Sequence, residues 1–271
     1  VTSIEEGSKL PEHLSASSIQ TYIQCPEKFK LSRVDGIKEP PTTHTTFGNF
    51  VHDVMELFYT TIPPEERNTA SLRSCCTATW VNGGWEDIVT PLLRMRAPQL
   101  TWKSINDFRW GAWWCVENIF VLEDPVAVTP SGVEFEVFGK IDGVLIKGYI
   151  DRWTEANNMV TISDYKTGKV PADKYAGDKF FQLCLYALLM RELHGKENFE
   201  LELLYIKHGV RKKYSPSELD LEKAKNTIVN TKKEILVSHE QHNWPAIPSG
   251  LCNFCYFKSH LCSYWNPANE R

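Results

Sequence analysis

The sequence predicts an α/β fold, and three observations lead to it. Helical patterns fill positions 15–125, strand-like alternation takes over from Gly132, and helical spacing returns after about residue 172. A further strand, carrying Leu201, Leu203 and Tyr205, follows that helix, and a charged helix over 217–238 follows the strand. The order helices, strand meander, helix, strand, helix belongs to an α/β core with additions.

Residues 1–14 read as a loose lead-in. Ser15-Ala16-Ser17-Ser18 offers caps for a helix bearing Ile19, Tyr22 and Ile23. Pro26 can open a second, charged helical turn through about Arg33, and Pro40-Pro41 breaks the chain. Phe47, Val51, Val54, Met55 and Phe58 recur at the spacing of an amphipathic helix that Pro63-Pro64 ends, and His52 lies beside their stripe. Residues 65–125 carry six of the nine tryptophans: Trp80, Trp85, Trp102, Trp110, Trp113 and Trp114. This stretch reads as a helical insertion whose tryptophans form a small core of their own. The alternative is that they stack on bases of single-stranded nucleic acid. Val133, Phe135 and Val137 then alternate, and Val144-Leu145-Ile146, Tyr149-Ile150 and Val160-Thr161-Ile162 are rich in β-formers with Gly and Asn-Asn turns between them. They predict an antiparallel meander of three or four strands. Phe181, Leu185, Leu188 and Leu189 set the helix that follows.

With 271 residues, 42% of them hydrophobic, the chain can bury a substantial core. No apolar run approaches bilayer length, and no signal-peptide pattern is visible at the start. A net charge of −4 gives no global attraction to nucleic acid. Local basic candidates are Lys28, Lys30 and Arg33, then Lys207, Arg211, Lys212 and Lys213, with a solvated face as the plainer reading of each run. Of the eight cysteines, Cys115 and Cys184 sit in apolar helical contexts as ordinary core thiols, and the adjacent Cys75-Cys76 read as structural or incidental. The other four are Cys25, in Gln24-Cys25-Pro26, and the closing Cys252-x2-Cys255-x6-Cys262. The Cys252–Cys255 pair has the form of a metal-binding knuckle, and Phe254, Tyr256 and Phe257 would shield a bound centre.

The acidic motifs carry the chemistry. Gly148-Tyr149-Ile150-Asp151-Arg152 stands a dozen residues before Asp164-Tyr165-Lys166-Thr167-Gly168. Asp151 is expected to end one strand and Asp164 to lie near the end of the next, so the Asn157-Asn158 turn brings them together. Lys166 shares the face of Asp164, while Tyr165 points into the core with its carbonyl free to face a metal. Two carboxylates can hold Mg²⁺ or Mn²⁺, and a lysine can orient or deprotonate water or steady developing negative charge. Asp142, in Gly139-Lys140-Ile141-Asp142, competes with Asp151 but lacks the following arginine. Glu134 and Glu136 either help hold a second metal or line a solvent-facing strand edge.

Together these motifs resemble the PD-(D/E)XK nuclease superfamily, and within it the RecB-like branch that includes Cas4, the AddB nuclease domain and phage exonucleases. Gly48-x3-His52 and Gln182-x3-Tyr186 match that branch, as does the N-terminal run Ser15, Ala16, Ser17, Ser18, Ile19, Tyr22, Cys25, Pro26 and Phe29. The resemblance covers residues 14–60 and 130–265. It implies one nuclease domain over 1–271 with a restriction-endonuclease-like core, a central mixed sheet flanked by helices, and the stretch 65–125 inserted into it. His52, Asp151, Asp164 and the Tyr165 carbonyl would bind Mg²⁺ or Mn²⁺, and Lys166 would be the catalytic lysine. Gln182 and Tyr186 would contact DNA or brace the site, and Arg152 would contact DNA. Cys25, Cys252, Cys255 and Cys262 would hold a [4Fe–4S] cluster that staples segment 245–265 to the N-terminal region, with Zn²⁺ as the alternative occupant. The implied activity is exonuclease action on single-stranded DNA or DNA ends, in a bacterial cytoplasm or phage-infected host cell. The alternatives are a non-cleaving iron–sulfur DNA-binding subunit and a Cas4-like end-processing factor in a larger complex.

Overall fold

The computed structural model describes residues 9–94, 103–172 and 180–267. Trp102, most of the expected lead-in and the start expected for the helix after residue 172 therefore lie outside the described residues.

The centre is a five-stranded mixed sheet in the order β1-β2-β3-β4-β5. Strands β1 (Gly132–Ile141), β2 (Val144–Ala156) and β3 (Met159–Tyr165) form the expected antiparallel meander. Its turns are Asp142-Gly143 and Asn157-Asn158, and all four residues have positive φ, which a tight two-residue hairpin requires. The two β-rich patches at 144–146 and 149–150 are one strand. Gly148 interrupts the apolar pattern because a Cβ there would meet Tyr186 Cε1 at 2.5 Å. Strand β4 (Phe199–Tyr205) runs parallel to β3, and β5 (Val210–Tyr214), which sequence patterns did not reveal, closes the sheet antiparallel to β4.

Helices cover both faces. On one lie α1 (Ala16–Gln24), α8 (Phe181–His194) and α9 (Glu218–Glu240), burying Ile19, Leu183, Leu189, Ile228 and Ile235 against Ile146, Ile150, Ile162 and Leu201. After α1, α2 (Pro26–Phe29) continues into a wider helical turn at Lys30–Val34, as Pro26 foreshadowed, and Phe29 packs on Tyr22 and Trp244. On the other face lies α3 (Thr43–Thr61), whose Phe47, Val51, Val54 and Phe58 pack with Tyr165, Leu204 and Ile206. The same core takes in α4 (Thr69–Asn82), α5 (Trp85–Arg94), α6 (Ile105–Glu117) and α7 (Ile119–Leu122). Trp80, Trp85 and Trp113 are buried with Phe50 and Phe108 in this core, which they share with α3 and the sheet instead of forming a small core of their own, whereas Trp110 and Trp114 are exposed. Among the described residues no helix is long and apolar enough to cross a membrane.

Arg67 joins the two ends of this helical stretch. Its guanidinium donates to the carbonyls of Tyr59 and Ile62 before α4 and of Pro125 and Val128 after α7, at 2.6–3.2 Å, and it lies over the Tyr59 ring. Arg67→Ala would strand several buried acceptors at once. The expected loss is about 2–4 kcal/mol, read as a lower urea midpoint. An unchanged midpoint would show that water serves those carbonyls equally well.

Candidate active site

Three elements converge where the regular sheet breaks. Along β1, Val133 packs with the α3 core and Phe135 with the α8 core, although a regular strand would point both the same way. Along β2 the same reversal separates Ile150, in the α8 core, from Arg152, which lies under the Tyr59 and Tyr165 rings. The pairs Val133–Arg152 and Phe135–Ile150 are in the ladder, and the pair between them, Glu134 with Asp151, is missing. Glu134 has φ 44, a costly conformation for a side-chain-bearing residue and one that concentrates at functional sites. The break turns both carboxylates toward one point.

From α3, His52 reaches the same point. Its Nε2 lies 2.9 Å from the Tyr165 carbonyl, and its Nδ1 lies 3.4 Å from Asp151 Oδ2 and 3.8 Å from Glu134 Oε1. Tyr165 N–H donates to Asp151 Oδ2 at 2.7 Å, which locks the carboxylate to the end of β3. Ligand atoms of His52, Glu134 and Asp151 all lie within 4.8 Å of one another. Beside them Lys166 Nζ lies 2.6 Å from Oδ2 of the buried Asp164. The Tyr165 side chain is buried and its carbonyl faces the site, as the strand alternation requires.

The electrostatics are those of a site short of positive charge. Burial, then the charge of Asp164, pushes the Asp151 carboxyl well above the usual range. Burial and the charge of Glu134 also raise Asp53 and Glu56. Burial alone would lower His52, but its hydrogen bond with Glu134 and the charges of Asp151 and Asp164 outweigh that and hold it up to about 9. Burial likewise works against the Lys166 ammonium, and Asp164 more than offsets it. A cleft of about 650 Å³, lined by His44, His52, Asp53, Glu56 and Glu134 among others, gives this cluster access to solvent. Hard oxygen donors, an imidazole and crowded negative charge suit a divalent cation such as Mg²⁺ or Mn²⁺.

The comparisons with known proteins agree with this geometry. The sequence model of the PD-(D/E)XK nuclease superfamily matches residues 13–262. The chain belongs to that superfamily. It is similar to the Gene 69 protein of Mycobacterium phage D29, 26% identical over 227 residues covering 70% of this chain and 72% of that protein. The Gene 69 protein of Mycobacterium phage L5 is 23% identical over 220 residues, covering 68% and 72%. In fold it is similar to a crystal structure from Eubacterium rectale, described there as a candidate exonuclease, with TM-score 0.54 and 12% identity over 90% of this chain and 87% of that one.

Behind the superfamily motif stands a row of polar contacts. Lys166 Nζ donates to Gln182 Oε1 at 3.4 Å, and Gln182 Nε2 donates to Tyr186 Oη at 3.0 Å. Tyr186 is buried against Gly148, so it braces the row and has no face for DNA. Gly148→Ala would drive a methyl into that ring. We expect a loss of about 1–3 kcal/mol and slower cleavage, because displacing Tyr186 and Gln182 releases Lys166. Thermal melts and cleavage rates on one preparation check both, and wild-type values for the two would remove Tyr186 from the brace.

Two sequence expectations need correction, and one open alternative is resolved. Arg152 is 2% exposed and bound by both carboxylate oxygens of Glu123, so it cannot reach DNA. Glu123 also accepts from Tyr59 and Arg211, so a buried charge network holds these strands against α7. Much of the basic sequence is likewise paired: Lys28 with Glu39, Lys30 with Asp35, Arg211 with Glu123 and Glu202, and Lys213 with Glu200 and Glu202. Finally, the two readings left open for Glu134 and Glu136 divide between them: Glu134 sits among the candidate ligands, while Glu136 binds Lys147 and Tyr149 on the outside. Counting back from the Asp142-Gly143 turn puts Glu134 opposite Asp151, so the register signal was present in the sequence.

The four outlying cysteines line one cavity of about 70 Å³, with Lys28 and Trp265 also in its wall. All are free thiols. Ser263 N–H donates to Glu27 Oε1 at 2.8 Å and Glu27 N–H to the Pro245 carbonyl at 3.4 Å, so the two chain ends are tied beside it. Burial pushes Cys115 up to about 12 and Cys184 up to about 11, as inert core thiols require.

Proposed function

We propose that the chain is a metal-dependent DNA exonuclease that hydrolyses phosphodiester bonds in single-stranded DNA or at DNA ends. The observation that carries this reading is the His52–Glu134–Asp151 donor group beside the Asp164–Lys166 pair. His52, Glu134, Asp151, Asp164 and the Tyr165 carbonyl hold Mg²⁺ or Mn²⁺ in this reading. When bound, the ion supplies Lewis acidity and a water made nucleophilic near neutral pH. Lys166, kept cationic by Asp164, offers its N–H groups to the attacking water and to the charge that develops on phosphate. Gln182 aims Lys166, and Tyr186 fixes Gln182. The exonuclease description of the Eubacterium rectale neighbour supports action at ends, and the two phage relatives support a phage-infected bacterial cell as the setting. A timed digest with Mg²⁺ or Mn²⁺ tests the reading: labelled linear DNA should shorten while a circular control persists. A nicked circle would make the enzyme an endonuclease, and DNA bound but uncut would leave the non-cleaving DNA-binding reading in its stead.

The cavity between the chain ends is the site we assign to a [4Fe–4S] cluster on Cys25, Cys252, Cys255 and Cys262. All four thiols wall it, with aromatic cover from Tyr264 and Trp265 in place of the Phe254, Tyr256 and Phe257 expected from the sequence. A single tetrahedral Zn²⁺, with Zn–S near 2.3 Å, would draw four sulfurs to within about 4 Å of one another. The unequal division of the ligands, Cys25 from one segment and Cys252, Cys255 and Cys262 from another, supports the larger centre in this reading. Its role is to close a long chain loop. Protein purified without oxygen should be brown with about four irons per chain, and Cys25→Ala should lower stability as much as Cys255→Ala. Colourless protein with one zinc would replace the cluster by Zn²⁺.

A further inference from the structure

We propose that Trp110, Trp114, Arg73 and Arg109 form a second DNA-contact site, which holds unpaired bases and phosphates of single-stranded DNA away from the cutting centre. The inference rests on the nuclease reading and adds to it where the strand is held. Trp80, Trp85 and Trp113 already fill the core between α3, α4 and α6. Trp110 and Trp114, one helical turn apart on α6, stay 51% and 62% exposed, with ring centroids 5.9 Å apart and planes inclined by 35°. Two neighbouring exposed indoles are a costly surface unless something covers them.

What surrounds them identifies the occupant. A cavity of about 300 Å³ opens between α4 and α6, walled by Arg73, Thr77, Trp80, Arg109, Trp110 and Trp113. The Arg73 guanidinium lies 4.7 Å over the Trp113 ring, and that of Arg109 lies 5.3 Å over Trp80. Neither arginine has a carboxylate partner among the described residues, in contrast to Lys28, Lys30, Arg211 and Lys213. Flat π faces beside two unneutralised, pre-stacked guanidiniums fit a base–phosphate chain, because each base offers a face and each linkage an anion. Duplex DNA keeps its faces stacked internally, so the fit is to a single strand. Two buried rings stand between this cavity and the metal cleft: Phe50, which lines the cavity, and Trp85, which lines the cleft, with centroids 5.1 Å apart.

Binding of a fluorescent oligothymidylate in EDTA, where no ion supports hydrolysis, tests the proposal. Trp110→Ala/Trp114→Ala should weaken binding about tenfold or more, with the melting temperature unchanged because both side chains are exposed. Arg73→Ala/Arg109→Ala should reduce the slope of log affinity against log salt by about 1.4, as two lost phosphate contacts require on a single strand. Leu219→Ala, an exposed apolar change on α9, should bind as wild type does. Wild-type affinity in the tryptophan variant, or an unchanged salt slope in the arginine variant, overturns the site even if cleavage with Mn²⁺ proceeds. Aromatic-dependent binding by a wild-type protein that never cuts would keep the site and remove the nuclease reading instead.

Discussion

Lys166→Ala should lower the rate of DNA hydrolysis by about 10²–10⁴-fold while leaving divalent-metal binding and the fold in place. Its ammonium is 2.6 Å from Asp164 and within reach of Gln182, and it stands beside the donor group without belonging to it. The loss should therefore fall on the chemical step, measured by single-turnover cleavage at saturating enzyme, with Mn²⁺ affinity followed by calorimetry. Burial opposes the charge on Lys166 and Asp164 restores it, so the lysine enters the reaction as a cation that donates hydrogen bonds. A variant that cuts at close to the wild-type rate would take Lys166 out of the mechanism.

Asp151→Asn should abolish cleavage yet make the metal-free protein more stable at neutral pH. The asparagine keeps an oxygen for the Tyr165 N–H and removes a charge that burial and Asp164 both disfavour. The folded pKa of Asp151 is raised above its unfolded value, so its contribution to stability is complete below pH ~4 and is lost as pH rises through the folded value. The variant should thus melt higher than wild type in EDTA at pH 8, and the gap should close toward pH 4. Such stability regained by removing a functional charge is a common trade-off at active sites. Asp142→Ala, at the tip of the β1–β2 turn, should cut normally. An active Asp151→Asn beside an inactive Asp142→Ala would reverse the assignment.

Much of this site was legible because its chemistry is written in short spacings. Asp164 and Lys166 share a face by strand periodicity, and the Asn157-Asn158 turn does bring β2 beside β3. The stripe of Phe47, Val51, Val54 and Phe58 fixed α3 and thereby the side from which His52 arrives. What escaped the sequence depends on departures from periodicity or on distant partners. The alternation left Glu134 open between a metal site and a solvent-facing edge, and its positive φ, which no pattern announces, is what turns it inward. Arg152 looked like a DNA contact because Glu123, whose carboxylate buries it, comes from 29 residues earlier. Strand β5 was hidden because its Arg211, Lys212 and Lys213 read as a basic run, whereas Arg211 and Lys213 reach acids on β4 and at the end of α7. The tryptophans divide between two readings, since periodicity alone does not say which face of α6 meets α3.

Metal-dependent phosphodiester hydrolysis at the His52–Glu134–Asp151 group is tested most directly by one assay. Purified wild-type protein and Lys166→Ala are incubated side by side with end-labelled single-stranded DNA and Mn²⁺, with and without excess EDTA. Wild type should release labelled products in Mn²⁺ and none in EDTA, and Lys166→Ala should release almost none in either. Cleavage that persists in EDTA, or equal cleavage by the two proteins in Mn²⁺, would contradict it.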